Sequence, residues 1–134
     1  MARSVVLINI ERRFEAAHVL ECASPTETKH VFGPCGRIHG HSYKVEVGVR
    51  GYTDKHGMIM NFKDLKEIVD EKIIRVCDHQ FLNDVFPETI TPLTAENMCL
   101  YWYDLLGAAI RVYDCQLAYV RLWETATAYA QVGA

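Results

Sequence analysis

Residues 5–14, VVLINIERRF, alternate apolar and polar, with Val6, Ile8, Ile10 and Phe14 on one parity, the period of a half-buried strand. The alternation then stops. From His18 to Gly36, Ser24, Pro25, Gly33, Pro34 and Gly36 predict a loop, and loops of that length inside compact domains are usually functional. Alternation resumes at 41–50, HSYKVEVGVR, where Tyr43, Val45, Val47 and Val49 share the parity of His39 and His41 against Lys44, Glu46 and Arg50. Asn61 reads as an N-cap, with Asp64 three residues on, for a helix whose stripe is Phe62, Leu65, Val69, Ile73 and Val76. A second helix starts at Thr94, carries Glu96 in its first turn and buries Met98, Tyr101, Leu105 and Ala109. CQLAYVRLWE, residues 115–124, and TAYAQV return to strand composition across a tight turn. The order strand-strand-helix-helix-strand-strand predicts an α+β fold over residues 1–134 as a single domain: an antiparallel four-stranded sheet with two helices on one face.

Composition narrows the partners. A formal net charge of -3, with acids and bases interleaved, supplies no basic patch able to neutralise a phosphate backbone, so nucleic acid is not an expected partner. Five cysteines, an odd number spread over separate elements, argue against a disulfide framework and for a reducing compartment. The N-terminal MARSVVLINIERRF lacks the apolar core and cleavage site of a signal peptide. No apolar run approaches the roughly 18 residues of a membrane span. A cytoplasmic, soluble protein is expected.

The chemistry-bearing residues cluster in GPCGRIHGHSYKVEV, residues 33–47. Two histidines at i and i+2 of a strand, His39 and His41, project from one face about 7 Å apart and can converge on one ion. His18 ends the first strand, where hairpin pairing brings it beside the start of the second. Three imidazoles with an open fourth position form the arrangement of a catalytic zinc. Cys35 has two readings: a fourth ligand closing a structural site, or a free thiolate beside the metal acting as a base. Gly33, His39, His41 and Glu46 also reproduce the core of the cupin metal motif. Strand parity opposes that reading, because Glu46 lies on the face opposite the histidines unless a bulge intervenes. In CDHQFLND, Asp78 and His79 form either a proton-moving pair or a solvated helix terminus. Glu124, ending an apolar strand, either receives two parallel N–H bonds from an amidine-like edge, as in a pterin or guanine, or is an exposed strand end. His30 and His56 are assigned no role. Cys77, Cys99 and Cys115 read as small core hydrophobes, and Cys22 as a loop residue.

Taken together, FEAAH, CGRIHGHSYKVEV, GMIMNFKDLK, DHQFLND, TAEN and WETATA resemble the 6-pyruvoyltetrahydropterin synthase superfamily, in order and over nearly the whole chain. The resemblance implies the tunnelling fold (T-fold), whose sheets join into barrels, commonly as a hexamer of two trimers. The C-x3-H-G-H spacing of Cys35 and His39 is similar to that of the 6-carboxy-5,6,7,8-tetrahydropterin synthases of queuosine and other 7-deazapurine pathways, whereas pyruvoyl synthases of the mammalian type have a longer gap. What this implies is cleavage of 7,8-dihydroneopterin triphosphate to 6-carboxytetrahydropterin, acetaldehyde and triphosphate. It makes His18, His39 and His41 the Zn2+ ligands, Cys35 the proton acceptor, Asp78 and His79 a relay reaching in from a neighbouring subunit, and Glu124 the pterin anchor and a member of that relay. A pyruvoyl-type synthase and a non-catalytic zinc or pterin-binding module are the alternatives. Two departures stand out: Leu93 separates Pro92 from the TAEN block, and Asn61 stands where many relatives have aspartate, a change an N-cap tolerates.

Overall fold

The computed structural model describes residues 3–134 and arranges them around one five-stranded sheet. Its strands are β1 (Val6–His18), β2 (His39–Gly51), β3 (Gln80–Phe81), β4 (Gln116–Thr125) and β5 (Ala128–Gly133), in the spatial order β3-β1-β2-β4-β5. The four predicted strands pair antiparallel, β1 with β2, β2 with β4, and β4 with β5. The fifth, β3, joins β1 in parallel through Ala16–Gln80 and Ala17–Phe81. This corrects the expected four-stranded antiparallel sheet to a mixed one of five strands. A two-residue strand carries no alternation to read.

Alternation decides which face each strand buries. Ile10, Phe14, Ala16 and His18 of β1, with Tyr43, Val45, Val47 and Val49 of β2, face the helices and form the core with β4. Arg12 shares the parity of the buried β1 residues and is accommodated by two bonds to Asp70, at 2.7 and 2.9 Å. The other face is polar and aromatic. There Glu46, itself buried, accepts from Trp123 Nε1 at 2.8 Å and Arg121 Nη1 at 3.1 Å.

The helices depart from expectation where hydrophobic period is silent or shifted. The predicted loop contains α1 (Pro25–Phe32), capped by Ser24 Oγ, which accepts from the Glu27 N–H at 3.1 Å, and then a 3-10 turn, Gly33–Gly36. No residue of α1 is buried, so no apolar stripe marks it. The first expected helix is α2 (Phe62–Val69), a π turn (Asp70–Ile74) and α3 (Arg75–Cys77) in continuous sequence, with Asn61 as the N-cap. Leu65, Val69 and Ile73 are fully buried as predicted, but Phe62 and Val76 are exposed and Cys77 is buried instead. The wider i→i+5 turn keeps positions four apart in line, so the stripe runs on to Cys77.

After the short α4 (Leu82–Val85) comes α5 (Ala95–Ile110), capped by Thr94 Oγ1 from the Asn97 N–H at 3.1 Å. Met98 is buried as expected, while Trp102, Leu106 and Ile110 replace Tyr101, Leu105 and Ala109 as the core stripe. The bulkiest apolar residue sets the rotation. Trp102 packs against Phe14 and Phe86 with ring centroids 6.1 and 5.6 Å apart. Among the described residues, no helix is long and apolar enough to cross a membrane.

Candidate metal centre

The β1–β2 register builds the centre directly. His18 lies opposite His39, Ala16 opposite His41 and Phe14 opposite Tyr43, all on the helix-facing side. Three imidazoles and one methyl group therefore occupy the corners of a two-by-two patch at the end of the sheet, and the methyl group at Ala16 leaves the space that the rings share. One ring nitrogen from each of His18, His39 and His41 lies within 4.8 Å of the others.

Backbone carbonyls fix how the rings face. His18 Nδ1 donates to the Leu93 carbonyl at 3.0 Å and His39 Nδ1 donates to the Arg37 carbonyl at 2.7 Å. Since a carbonyl accepts only from a protonated nitrogen, Nδ1 carries the donated proton in each ring and Nε2 is the nitrogen left to face the centre as a ligand. Those two Nε2 atoms are 3.0 Å apart, and the buried His41 Nε2 has no hydrogen-bond partner among the described residues. Lone pairs converging at such distances repel unless a cation lies among them. Burial lowers the pKa of His18 and of His41, against the opposing pull of Glu124, so both rings are neutral and able to ligate at neutral pH. The donor set fits a metal ion, and three imidazole nitrogens suit zinc better than magnesium or calcium.

Glu124 belongs to this centre. The register shift between Trp123 and Thr125 falls at this residue, and its Oε1 lies 3.6 Å from His41 Nε2. A cleft of about 500 Å³ opens beside it, between the first turn of α5 and β5, lined by Ala95, Glu96, Leu100, Glu124 and Tyr129. Tyr43 lies beneath the histidines, fully buried, with no hydrogen-bond partner for its hydroxyl among the described residues.

The other predicted residues are placed elsewhere. Cys35 is exposed on the 3-10 turn, tied by its carbonyl to the Leu20 N–H at 3.1 Å, and its sulfur is outside the histidine group. The closed site of three histidines and a thiolate is not formed in this structure. Asp78 and His79 follow α3 at the outer edge of β1. Asp78 Oδ1 accepts from the Glu15 N–H at 2.9 Å, its Oδ2 lies 3.0 Å from His79 Nδ1, and the His79 N–H donates to the Glu15 carbonyl at 2.6 Å. The Glu15 N–H, and after it His79, hold the Asp78 carboxyl below its usual range. The His79 side chain is 79% exposed, and its backbone adopts a left-handed conformation, φ 60.

The cupin ligand set is not formed, because β1 and β2 pair without a break from Val6 to His18 and Glu46 faces away from the histidines. Cys77, Cys99 and Cys115 are buried as expected, and burial pushes the thiols of Cys77 and Cys99 up to about 12.

Sequence reasoning missed three supporting groups. Arg37 and Leu93 act through backbone carbonyls, which carry no residue-type signature; the Leu93 departure was visible, but its function was not. Asn83 holds the chain just past His18, its side chain accepting from the Val19 N–H and donating to the Val19 carbonyl, both at 3.0 Å.

Known proteins resemble this chain in sequence and in fold. The family model described as 6-pyruvoyl tetrahydropterin synthase matches residues 7–134. An Archaeoglobus fulgidus protein provisionally named 6-carboxy-5,6,7,8-tetrahydropterin synthase is 41% identical over 95 residues, 71% of this chain and 70% of its own. The 6-pyruvoyl tetrahydrobiopterin synthase of Poecilia reticulata is 38% identical over 133 residues, covering 92% of this chain and 87% of its own. The structure of Caenorhabditis elegans 6-pyruvoyl tetrahydropterin synthase superposes with a TM-score of 0.87 at 28% identity, covering 100% of this chain and 99% of that one. Sequence and fold thus agree along nearly the whole length, and the chain belongs to the 6-pyruvoyl tetrahydropterin synthase family.

Proposed function

We propose that the protein is a zinc-dependent lyase converting 7,8-dihydroneopterin triphosphate to 6-carboxy-5,6,7,8-tetrahydropterin, acetaldehyde and triphosphate, within queuosine or a related 7-deazapurine pathway. The observation carrying the metal assignment is the convergence of the Nε2 atoms of His18 and His39, each oriented by a backbone carbonyl, with the unpartnered Nε2 of His41. Zinc held there supplies Lewis-acid polarisation of the substrate's side-chain oxygens.

The chain's own residues do the rest. Cys35, exposed and free of the histidine group, accepts a proton from the substrate side chain as its thiolate. Glu124 accepts paired N–H bonds from the 2-amino edge of the pterin in the adjoining cleft. His79, with Asp78 holding its ring, returns protons as the side chain breaks. Because Asp78 and His79 occupy the outer edge of β1, they serve the site of a neighbouring copy, in an assembly of the T-fold type, a hexamer of two trimers.

The carboxytetrahydropterin product, rather than a pyruvoyl one, is favoured by the three-residue gap between Cys35 and His39. The test is to incubate zinc-loaded protein with dihydroneopterin triphosphate and assay acetaldehyde and the carboxylated tetrahydropterin. Both form if the proposal holds. A pyruvoyl product without acetaldehyde selects the alternative synthase, and no product from folded, metal-loaded protein leaves a binding module. Cys35→Ala abolishes turnover and retains zinc; loss of zinc in that variant would return the sulfur to the metal.

A further inference from the structure

His18 is the fully buried member of the histidine trio, and its ring is oriented by one bond, from Nδ1 to the Leu93 carbonyl at 3.0 Å. The imidazole end of that bond is fixed twice. The β1–β2 ladder reaches His18 itself, opposite His39, and Asn83 holds both backbone groups of Val19, the next residue. The carbonyl end has no ladder behind it. Residues 91–94 belong to neither helix nor strand, and the first carbonyl that α5 uses is that of Thr94, which accepts from the Met98 N–H at 3.0 Å.

One residue closes on both sides of Leu93. The Asn97 N–H donates to Thr94 Oγ1 at 3.1 Å, just after it, and Asn97 Nδ2 donates to the Pro92 carbonyl at 2.7 Å, just before it. The first bond is a helix cap, which the N–H of any residue but proline at that position completes. The second needs a short side chain with an N–H donor, which asparagine has and aspartate or alanine lacks. With its own side chain buried and both neighbours tied to Asn97, Leu93 keeps its carbonyl turned toward His18.

That restraint matters because His18 has a second option. Were the Leu93 carbonyl to turn away, the ring proton could move to Nε2 and bond to His39 Nε2, 3.0 Å away. That tautomer blocks the nitrogen that faces the metal. We infer that Asn97 is a positioning residue of the metal centre, acting through Pro92 and Leu93 to lock His18 in the tautomer that ligates. The inference rests on the metal assignment of the proposed function and not on its reaction. Ala95 and Glu96, in the same turn of α5, line the cleft beside Glu124, so one helical turn serves both the cleft and the metal.

The experiment is competition for zinc between the protein and a chromogenic chelator, with the visible spectrum of the cobalt(II)-substituted protein as a readout of ligand geometry. Asn97→Ala and Asn97→Asp are each expected to bind zinc on the order of tenfold more weakly and to shift the cobalt bands. Aspartate has the size of asparagine and is favoured in the first turn of a helix, so that variant keeps α5 where Asn97→Ala proves poorly folded. Ser24→Ala, which removes the cap of α1, controls for general loosening and keeps the parental affinity and spectrum. Parental zinc affinity with unshifted cobalt bands in both Asn97 variants overturns the inference, as does an equal loss of affinity in Ser24→Ala. A parent protein that takes up neither zinc nor cobalt overturns the metal centre itself. Failure of the acetaldehyde assay with the Asn97 effect intact overturns the proposed reaction and leaves the positioning role standing.

Discussion

At the residue scale the centre depends on one small side chain as much as on three large ones. Ala16 lies opposite His41 and beside His18, so a larger residue there grows into the space the three rings enclose. Ala16→Leu is therefore expected to abolish zinc binding while leaving the fold intact, checked by metal analysis alongside circular dichroism. Retention of one equivalent of zinc would contradict the account of that corner. Acid acts on the same rings. In the unfolded chain histidine titrates near 6.5, whereas in the folded chain burial holds His18 and His41 lower. Above pH about 6.5 both states hold neutral rings and these groups add no pH dependence. As pH falls through that value the unfolded chain takes up protons first, so metal-free stability declines until the folded rings also protonate. Denaturation of metal-free protein between about pH 7.5 and 5.5 should show this slope, and His41→Asn should flatten it. An unchanged slope in that variant would place the titration elsewhere. Tyr43 is the opposite case: its hydroxyl is buried without a partner among the described residues, a state that costs about 1–3 kcal/mol. Tyr43→Phe is expected to unfold at the same or a higher denaturant concentration than the parent.

At the element scale, two helices with similar caps should respond very differently. Thr94 and Ser24 each accept an N–H bond at 3.1 Å, but α5 buries six residues and α1 buries none. Thr94→Ala should cost about 1 kcal/mol of global stability and, because Leu93 precedes it and holds His18, weaken zinc binding too. Ser24→Ala should leave the global unfolding midpoint nearly unchanged while raising amide exchange in α1. The same contrast explains what could be read from the sequence. Both long strands of the site, and the helix beginning after Asn61, advertised themselves through apolar period and a cap. Other elements did not, among them α1, which has no buried face; β3 and α4, which are too short for a period; and the π turn, which moved the buried position from Val76 to Cys77. The histidine trio was legible because parity and hairpin pairing put it on one face. Its carbonyl supports were not, because any residue can supply a carbonyl.

At the scale of the whole molecule, the sheet is unfinished on both sides. Beyond β3, which covers only Ala16 and Ala17, β1 has no strand partner on its outer side among the described residues, and β5 ends the sheet at the other edge. Long open edges invite pairing with another chain, and here the residues proposed as proton relay sit on one of them. Glu15 shows which backbone groups face outward, because its N–H and carbonyl bond Asp78 and His79 rather than β2. Arg13, two residues earlier, has the same outward parity, with an exposed side chain. Proline at position 13 thus removes one edge donor without removing a β1–β2 hydrogen bond, the placement proline tolerates in strands. If copies assemble by joining these edges, Arg13→Pro should yield a folded, zinc-binding monomer. It should also lose turnover, because His79 no longer reaches a neighbouring site. Light scattering of the parent and the variant decides it: a variant of parental mass would show that assembly uses another surface. A monomeric variant with full turnover would show that Asp78 and His79 serve their own chain.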